Sequence, residues 1–237
     1  MRRPLSIMRS NPEEGWIEFL YKIVGSGLRA LSQAEPGSLV STLGPIGNGF
    51  TPDPDKRFQL MLGGGVGMPP MSFLAERLAH DTSHNWNPIV FMGSEVPFPF
   101  ELANSGIEVP GLEEATASMP LMESLKVPCR LASLQNYPGC FNGYITELAE
   151  RWLQTLEPEL LTRIEIFACG PEPMLQAAAS LARKYSLSCQ LCLEEFMACA
   201  VGGCAGCTVE VHEENEIRMK RVCVDGPVFE ASTIYPK

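Results

Sequence analysis

Hydrophobic positions along the middle of the chain switch repeatedly between short apolar runs and helical spacing. Phe58-Gln59-Leu60-Met61-Leu62, Ile89-Val90-Phe91-Met92 and Ile164-Glu165-Ile166-Phe167-Ala168 are runs of strand length, and a further strand is expected near Cys129 to Leu134. Between them, Met71 to Ala79 reads as a helix. Ile145, Leu148, Ala149, Trp152, Leu153 and Leu156 keep helical spacing, as do Met174, Leu175, Ala178, Leu181, Ala182 and Tyr185. These helical stripes are most simply core. Strands alternating with helices predict an α/β fold with a parallel sheet and crossover helices.

Two glycine turns punctuate this pattern. The first strand ends in Gly63-Gly64-Gly65-Val66-Gly67-Met68-Pro69-Pro70, and the last runs into Cys169-Gly170-Pro171-Glu172-Pro173. Strand, glycine turn, then helix is how α/β folds bring a phosphate to a helix N-terminus, at the carboxyl ends of the strands. The dinucleotide fingerprint itself fails, because Met68 or Pro70 stands where its last glycine belongs. Proline suits the first helical turn, which lacks use for its N–H. A plain structural turn is the competing reading.

The first fifty residues are less periodic. Arg3-Pro4-Leu5-Ser6 precedes a strand-like segment from Trp16 to Val24; Gly25-Ser26-Gly27 follows, and Gly44-Pro45-Ile46-Gly47-Asn48-Gly49-Phe50 closes the region. An arginine and a serine near a glycine turn suit phosphate oxygens; an exposed terminus with one salt bridge is the plainer alternative. These pieces are too short and few for an independent barrel.

Composition narrows the function. Hydrophobic residues make up 45% and charged residues 19% of 237, so the chain is neither disordered nor a coiled coil. Its net charge of −10 argues against nucleic acid and against an anionic membrane surface as partners. No apolar stretch approaches a membrane span. Met1-Arg2-Arg3-Pro4 lacks the apolar run of a twin-arginine signal, so a cytoplasmic location is expected. His80, His84 and His212 are scattered, and no Ser–His–Asp set or Walker loop is evident, so no catalytic residue is assigned.

Nine cysteines in such a chain point to metal ligands or redox groups before disulfides. Cys199, Cys204 and Cys207 are separated by four and then two residues, and Cys223 follows after fifteen more. That is the spacing of plant-type [2Fe–2S] sites. Ala200-Val201-Gly202-Gly203 and Ala205-Gly206 are small enough to wrap the inorganic core and aim N–H groups at its sulfurs, with glycines taking the positive φ values. A structural zinc and four buried reduced thiols are the alternatives. Cys192 lies outside the pattern, while Cys129, Cys140 and Cys189 read as packing residues.

Taken in order, these motifs, ending in Cys223-Val224-Asp225-Gly226-Pro227-Val228-Phe229, resemble the electron-transfer subunit of NAD-dependent (type B) dihydroorotate dehydrogenase, within the ferredoxin reductase superfamily. The resemblance covers nearly the whole chain. It implies a truncated flavin-binding β-barrel over residues 1–54, since the family begins several strands earlier. An NAD-binding α/β domain over 55–186 and a [2Fe–2S] domain over 187–237 would follow.

By the same resemblance, Arg3, Pro4, Leu5 and Ser6 hold the FAD phosphates and flavin edge. Leu20, Tyr21 and Lys22 line that cofactor, and Gly27 and Leu28 meet its pyrophosphate. Gly63, Gly64, Gly65, Gly67, Cys169, Gly170 and Pro171 meet NAD, and Cys199, Cys204, Cys207 and Cys223 ligate iron. Leu28 replaces a threonine usual in the family, and Leu5 a tyrosine common in the wider superfamily. Electrons from dihydroorotate would pass from FMN in a separate catalytic subunit, in a heterotetramer, through the cluster to FAD and NAD. Related small subunits of ferredoxin:NADP transhydrogenases and sulfhydrogenases share the wiring, and a flavin-free metal-binding module is the non-catalytic alternative. Glu95 after the second strand, with no arginine close by, favours NAD over NADP.

Overall fold

The computed structural model describes residues 3–214 and 216–236; Met1 and Arg2, half of the opening arginine motif, lie outside them. The N-terminal region begins with an antiparallel hairpin, β1 (Ile7–Asn11) and β2 (Trp16–Phe19), followed by helix α1 (Gly25–Ser32). The expected strand from Trp16 to Val24 therefore stops early. Leu28-Arg29-Ala30-Leu31 are good helix formers, and they extend a helix out of the glycine turn that the periodicity did not reveal. Arg9 on β1 fixes the hairpin to the next region through Nη2 to Glu76 Oε1 at 2.8 Å, with Nε on the same carboxylate.

The central region alternates as expected. It comprises β3 (Phe58–Gly64), α2 (Met68–His80), β4 (Asn87–Gly93), a small β5–β6 ribbon (Ala103–Asn104, Ala117–Ser118), α3 (Pro120–Ser124), β7 (Cys129–Ala132), α4 (Ile145–Leu153), α5 (Pro158–Leu161), β8 (Ile164–Cys169), α6 (Glu172–Tyr185) and β9 (Ser188–Cys192). Helix α2 starts three residues before the expected Met71, because Pro69 and Pro70 occupy its first turn, where a missing N–H costs nothing.

The chain ends with a second hairpin, β10 (Thr208–Glu213) and β11 (Glu216–Arg221), then β12 (Val228–Glu230) and α7 (Ala231–Ile234). Strand order in the main sheet is β12-β9-β8-β3-β4-β7, parallel except that β12 joins β9 antiparallel. Position 187 thus falls inside a continuous sheet that takes strands from both sides of it.

Two apolar layers cover the sheet. On one face Leu60, Leu62, Phe91, Ile166 and Leu191 pack under α4 and α6, with Phe91 edge-on to Trp152 at 6.2 Å. On the other, Met61, Val90, Met92, Phe167, Cys169 and Cys192 pack under α2 and against Met8 and Phe50 of the N-terminal region. No helix among the described residues is long and apolar enough to cross a membrane.

Candidate functional site

The two glycine turns meet at the carboxyl ends of β3 and β8, which are paired in register from Phe58–Ile164 to Gly63–Cys169. Their backbones are almost in contact. A Cβ on Gly67 would collide with the carbonyl of Cys169, and one on Gly170 would lie 3.2 Å from Gly64 Cα and 2.7 Å from Met174 Sδ. Gly65, at φ +55°, has open space where a side chain would stand. So Gly64, Gly67 and Gly170 serve the close approach of two loops, and Gly65 leaves the surface above them free for a ligand. Pro171 caps the far side as the residue preceding α6, its ring against Gly64.

Cys169 is nearly buried, and its thiol shares a hydrogen bond with that of Cys192, its register partner on β9. That contact and burial push the Cys169 thiol well up from its ordinary pKa, so it stays protonated. Cys192, expected to stand apart, is therefore the neighbour of the nucleotide turn. Glu95, just beyond β4, accepts from Leu134 N–H and Gln135 Nε2, each at 3.4 Å.

At the N-terminal end the Arg3 side chain lies over α1: a Cβ on Gly27 would sit 3.4 Å from Arg3 Nε. A guanidinium beside a helix N-terminus with free N–H groups and no acidic residue in its first turn is an anion cradle. Leu28 is half-buried in that helix, and Leu5 is half-buried just before β1, with Pro4 and Ser6 exposed beside it. Leu20 packs into the core layer beneath α2, Tyr21 is half-buried and Lys22 is exposed. The Ile7–Phe19 pairing of β1 with β2 sets the segment before β1 beside the one after β2, and Arg3 reaches the start of α1. The donor set fits a phosphate-bearing cofactor.

The four spaced cysteines surround one loop but do not converge on one point. Among the described residues no three His, Cys, Asp or Glu side chains are arranged to hold a single metal ion. The thiols instead group two by two: Cys204 N–H donates to Cys199 Sγ at 3.4 Å, and Cys207 lies with Cys223 in one buried cluster. Such a grouping suits a two-iron cluster, with two thiolates for each iron.

The pairs differ in setting. Cys207 and Cys223 are buried with Val222 and walled by Leu193, Met197 and Phe229. Burial and the Cys207 neighbour push the Cys223 thiol upward. The outer pair lies at the surface. N–H groups of Val201 and Cys204 and the Cys204 thiol point at Cys199 and pull it down to about 6, so it is a thiolate at neutral pH.

The loop meets the expectation of N–H groups aimed at sulfur. It departs from it in where the left-handed turns fall: Ala200 and Ala205 take φ of 61° and 52° alongside Gly202 at 78°, whereas Gly203 and Gly206 do not. A non-glycine residue there is strained, and such strain persists where surrounding contacts impose it.

One such contact was not evident in the sequence. Arg221 Nη1 donates to Gly202 O at 3.2 Å, and Arg221 N–H and Nε donate to Asp225 Oδ2 at 2.7 and 3.1 Å. The pair ties the three-cysteine loop to the turn carrying Cys223. Its only signal in the sequence is the four-residue spacing of opposite charges.

Known proteins match this arrangement. Residues 194–235 match the iron–sulfur cluster binding domain of dihydroorotate dehydrogenase B. The chain is 31% identical over 237 residues to the dihydroorotate dehydrogenase B (NAD(+)) electron transfer subunit of Caldanaerobacter subterraneus subsp. tengcongensis, with 99% of this chain and 81% of that one covered. The corresponding subunit of Geobacillus thermodenitrificans is 32% identical, covering 99% and 80%. The solved structure of an NADH-dependent reduced ferredoxin-NADP oxidoreductase superposes with a TM-score of 0.75 at 21% identity, covering 99% of this chain and 74% of that one, a likeness of fold.

The chain has the fold of a ferredoxin-NADP oxidoreductase, with a C-terminal segment matching an iron–sulfur cluster binding domain. Within that class, the chain belongs to the family of electron transfer subunits of dihydroorotate dehydrogenase B.

Proposed function

We propose that this chain carries electrons between a partner dehydrogenase and NAD. The observation that carries the reading is one molecule holding both a glycine turn, packed at Gly64 and Gly67 and open at Gly65, and a loop that gathers four spaced cysteines. The partner is an FMN-containing catalytic subunit that oxidises dihydroorotate for pyrimidine biosynthesis, assembled with this chain as a heterotetramer, and the location is the cytoplasm. When bound, a [2Fe–2S] cluster would supply one-electron transfer, FAD exchange between one- and two-electron chemistry, and NAD a hydride acceptor.

The protein's own residues bind and orient. Cys199, Cys204, Cys207 and Cys223 would hold the cluster, the first already a thiolate and the last two shielded by apolar side chains. Arg3 and the α1 N-terminus at Gly27 and Leu28 would hold the FAD phosphates, with Pro4, Leu5, Ser6, Leu20, Tyr21 and Lys22 around the remainder. Gly63, Gly64, Gly65, Gly67, Cys169, Gly170 and Pro171 would face NAD. The Cys169 thiol, kept neutral by its Cys192 neighbour and by burial, would add no charge to that turn. The Glu95 carboxylate would accept from ribose hydroxyls and repel a 2′-phosphate.

The test is anaerobic purification with iron, sulfide, zinc and flavin measured on the same sample. Iron and sulfide at two per chain with one FAD is the expected result. Zinc in place of iron overturns the reading.

A further inference from the structure

Residues 47–53 run from the cluster module to the nucleotide sheet, and the functions assigned above do not use them. At one end Asn48 N–H donates to Gly226 O at 2.6 Å, and Asn48 Nδ2 donates to Val224 O at 3.1 Å and Asp225 O at 3.3 Å. Those carbonyls belong to the residues directly after Cys223. Gly47 presses on the same turn: at φ +78°, a Cβ there would lie 2.5 Å from Pro227 Cδ and 2.7 Å from Gly226 O.

The other end is bound as firmly to β8 and β9. Thr51 N–H donates to Gln190 Oε1 at 3.0 Å and Gln190 Nε2 returns to Thr51 O at 2.7 Å, so a side-chain amide completes a strand-like pairing. Asp53 N–H donates to Glu165 Oε2 at 3.0 Å, and Gln190 Nε2 also reaches Glu165 Oε1 at 3.0 Å. The Phe50 ring meets Phe167 edge-on at 5.5 Å. Phe167 and Glu165 lie on the strand that ends in Cys169, and Gln190 lies on its neighbour.

We infer that residues 47–53 form a strap that fixes the Cys223 turn against the nucleotide sheet, with Asn48 as the positioning residue. The inference rests on the functional reading above, because an electron carrier needs the separation of its two centres held. Only a side-chain amide satisfies the geometry: its nitrogen donates to two backbone carbonyls, whereas a carboxylate in the same place meets them with like partial charge.

Asn48→Asp is nearly isosteric and removes both donors; Asn48→Ala removes the side chain. In both variants of the whole protein, amides of residues 222–226 are expected to exchange with deuterium faster than in the parent, while those of β3 and β8 keep their rates. With rates taken per bound cluster, NADH-driven reduction of ferricyanide, which draws on flavin, should hold. Reduction of cytochrome c through the cluster should fall relative to that of ferricyanide. Parental exchange in Asn48→Asp, or an unchanged ratio of the two activities, overturns the strap. The exchange measurement addresses the strap whatever cofactors are bound, whereas parent protein lacking iron or flavin overturns the functional reading itself.

Discussion

The glycine turns and the cysteine loop are the two candidate cofactor sites, but they hold their own backbones by opposite means. Gly64, Gly67 and Gly170 are locked by contact between two buried strands, with Leu60, Met61, Leu62 and Phe167 beneath them at no exposure. The cluster loop has only Cys207, Val222 and Cys223 as a buried floor; Cys204 is exposed and Phe196 is 88% exposed. Its shape comes from N–H groups pointed at Cys199 and from Arg221 between Gly202 and Asp225. Burial builds the first site without a ligand. The second is half built, and metal ligation supplies free energy that burial there does not.

That difference breaks most sharply on the cysteines. Cys223→Ser or Cys204→Ser should abolish the cluster's visible absorbance, leaving the far-ultraviolet circular dichroism of the sheet and helices unchanged. Retention of full iron and sulfide in either variant would refute the assignment of that cysteine as an iron ligand.

The next largest effect belongs to the sheet. A methyl group on Gly67 collides with the Cys169 carbonyl and lies 2.7 Å from Gly170 N, and both neighbours are backbone that cannot turn aside. Gly67→Ala should cost about 3 kcal/mol, lowering the thermal midpoint by roughly 6–12 °C. Phe196→Ala in the cluster module should leave the midpoint within about 1 °C, since an exposed side chain away from special contacts changes stability little. Equal shifts for the two would erase the contrast between the regions.

The same contrast explains what could be read from the chain. Apolar runs such as Leu60-Met61-Leu62 and Ile164–Ala168 announce buried strands because burial is their whole cause, and the cysteine spacing is visible because ligation is a local chain property. The strap and the Cys169–Cys192 contact were not legible, since each joins segments by tertiary approach, while the Arg221–Asp225 pair showed only as a four-residue spacing of opposite charges. Asn48 and Val224 are 176 positions apart, and nothing local marks an asparagine as the donor to those carbonyls. Helix α1 was hidden for another reason. It buries no residue and spans only eight, too few for a repeating stripe, and its glycines read as a turn.

Arg3 offers a smaller test on the exposed side of the molecule. Its guanidinium lies against Gly27 at the α1 N-terminus, outside the packed layers, so removing it should spare the fold. Arg3→Ala should weaken FAD binding about tenfold, the scale of one charge-assisted hydrogen bond, with the thermal midpoint of the flavin-free protein unchanged. Parental flavin content after dialysis would remove Arg3 from the phosphate site.

The subtlest effect is a pH dependence in the sheet. Burial raises the pKa of Glu165 above the ordinary carboxylate range, Glu230 and Asp53 add like charge, and the Asp53 N–H and Gln190 amide only partly offset these. The unfolded chain releases this proton at the ordinary value, and the folded protein releases it higher. Between the two values the folded state binds more protons, so this group's contribution to stability declines as pH rises through that window and levels above it. Glu165→Gln cannot ionise, yet keeps an oxygen for the Asp53 N–H. Its unfolding free energy, measured by denaturant titration at a series of pH values, should gain on the parent as pH rises from the ordinary carboxylate range. The gain should then hold constant toward neutrality. A gain that grows instead toward low pH would show that Glu165 is stabilised as the anion, with its hydrogen bonds outweighing its burial.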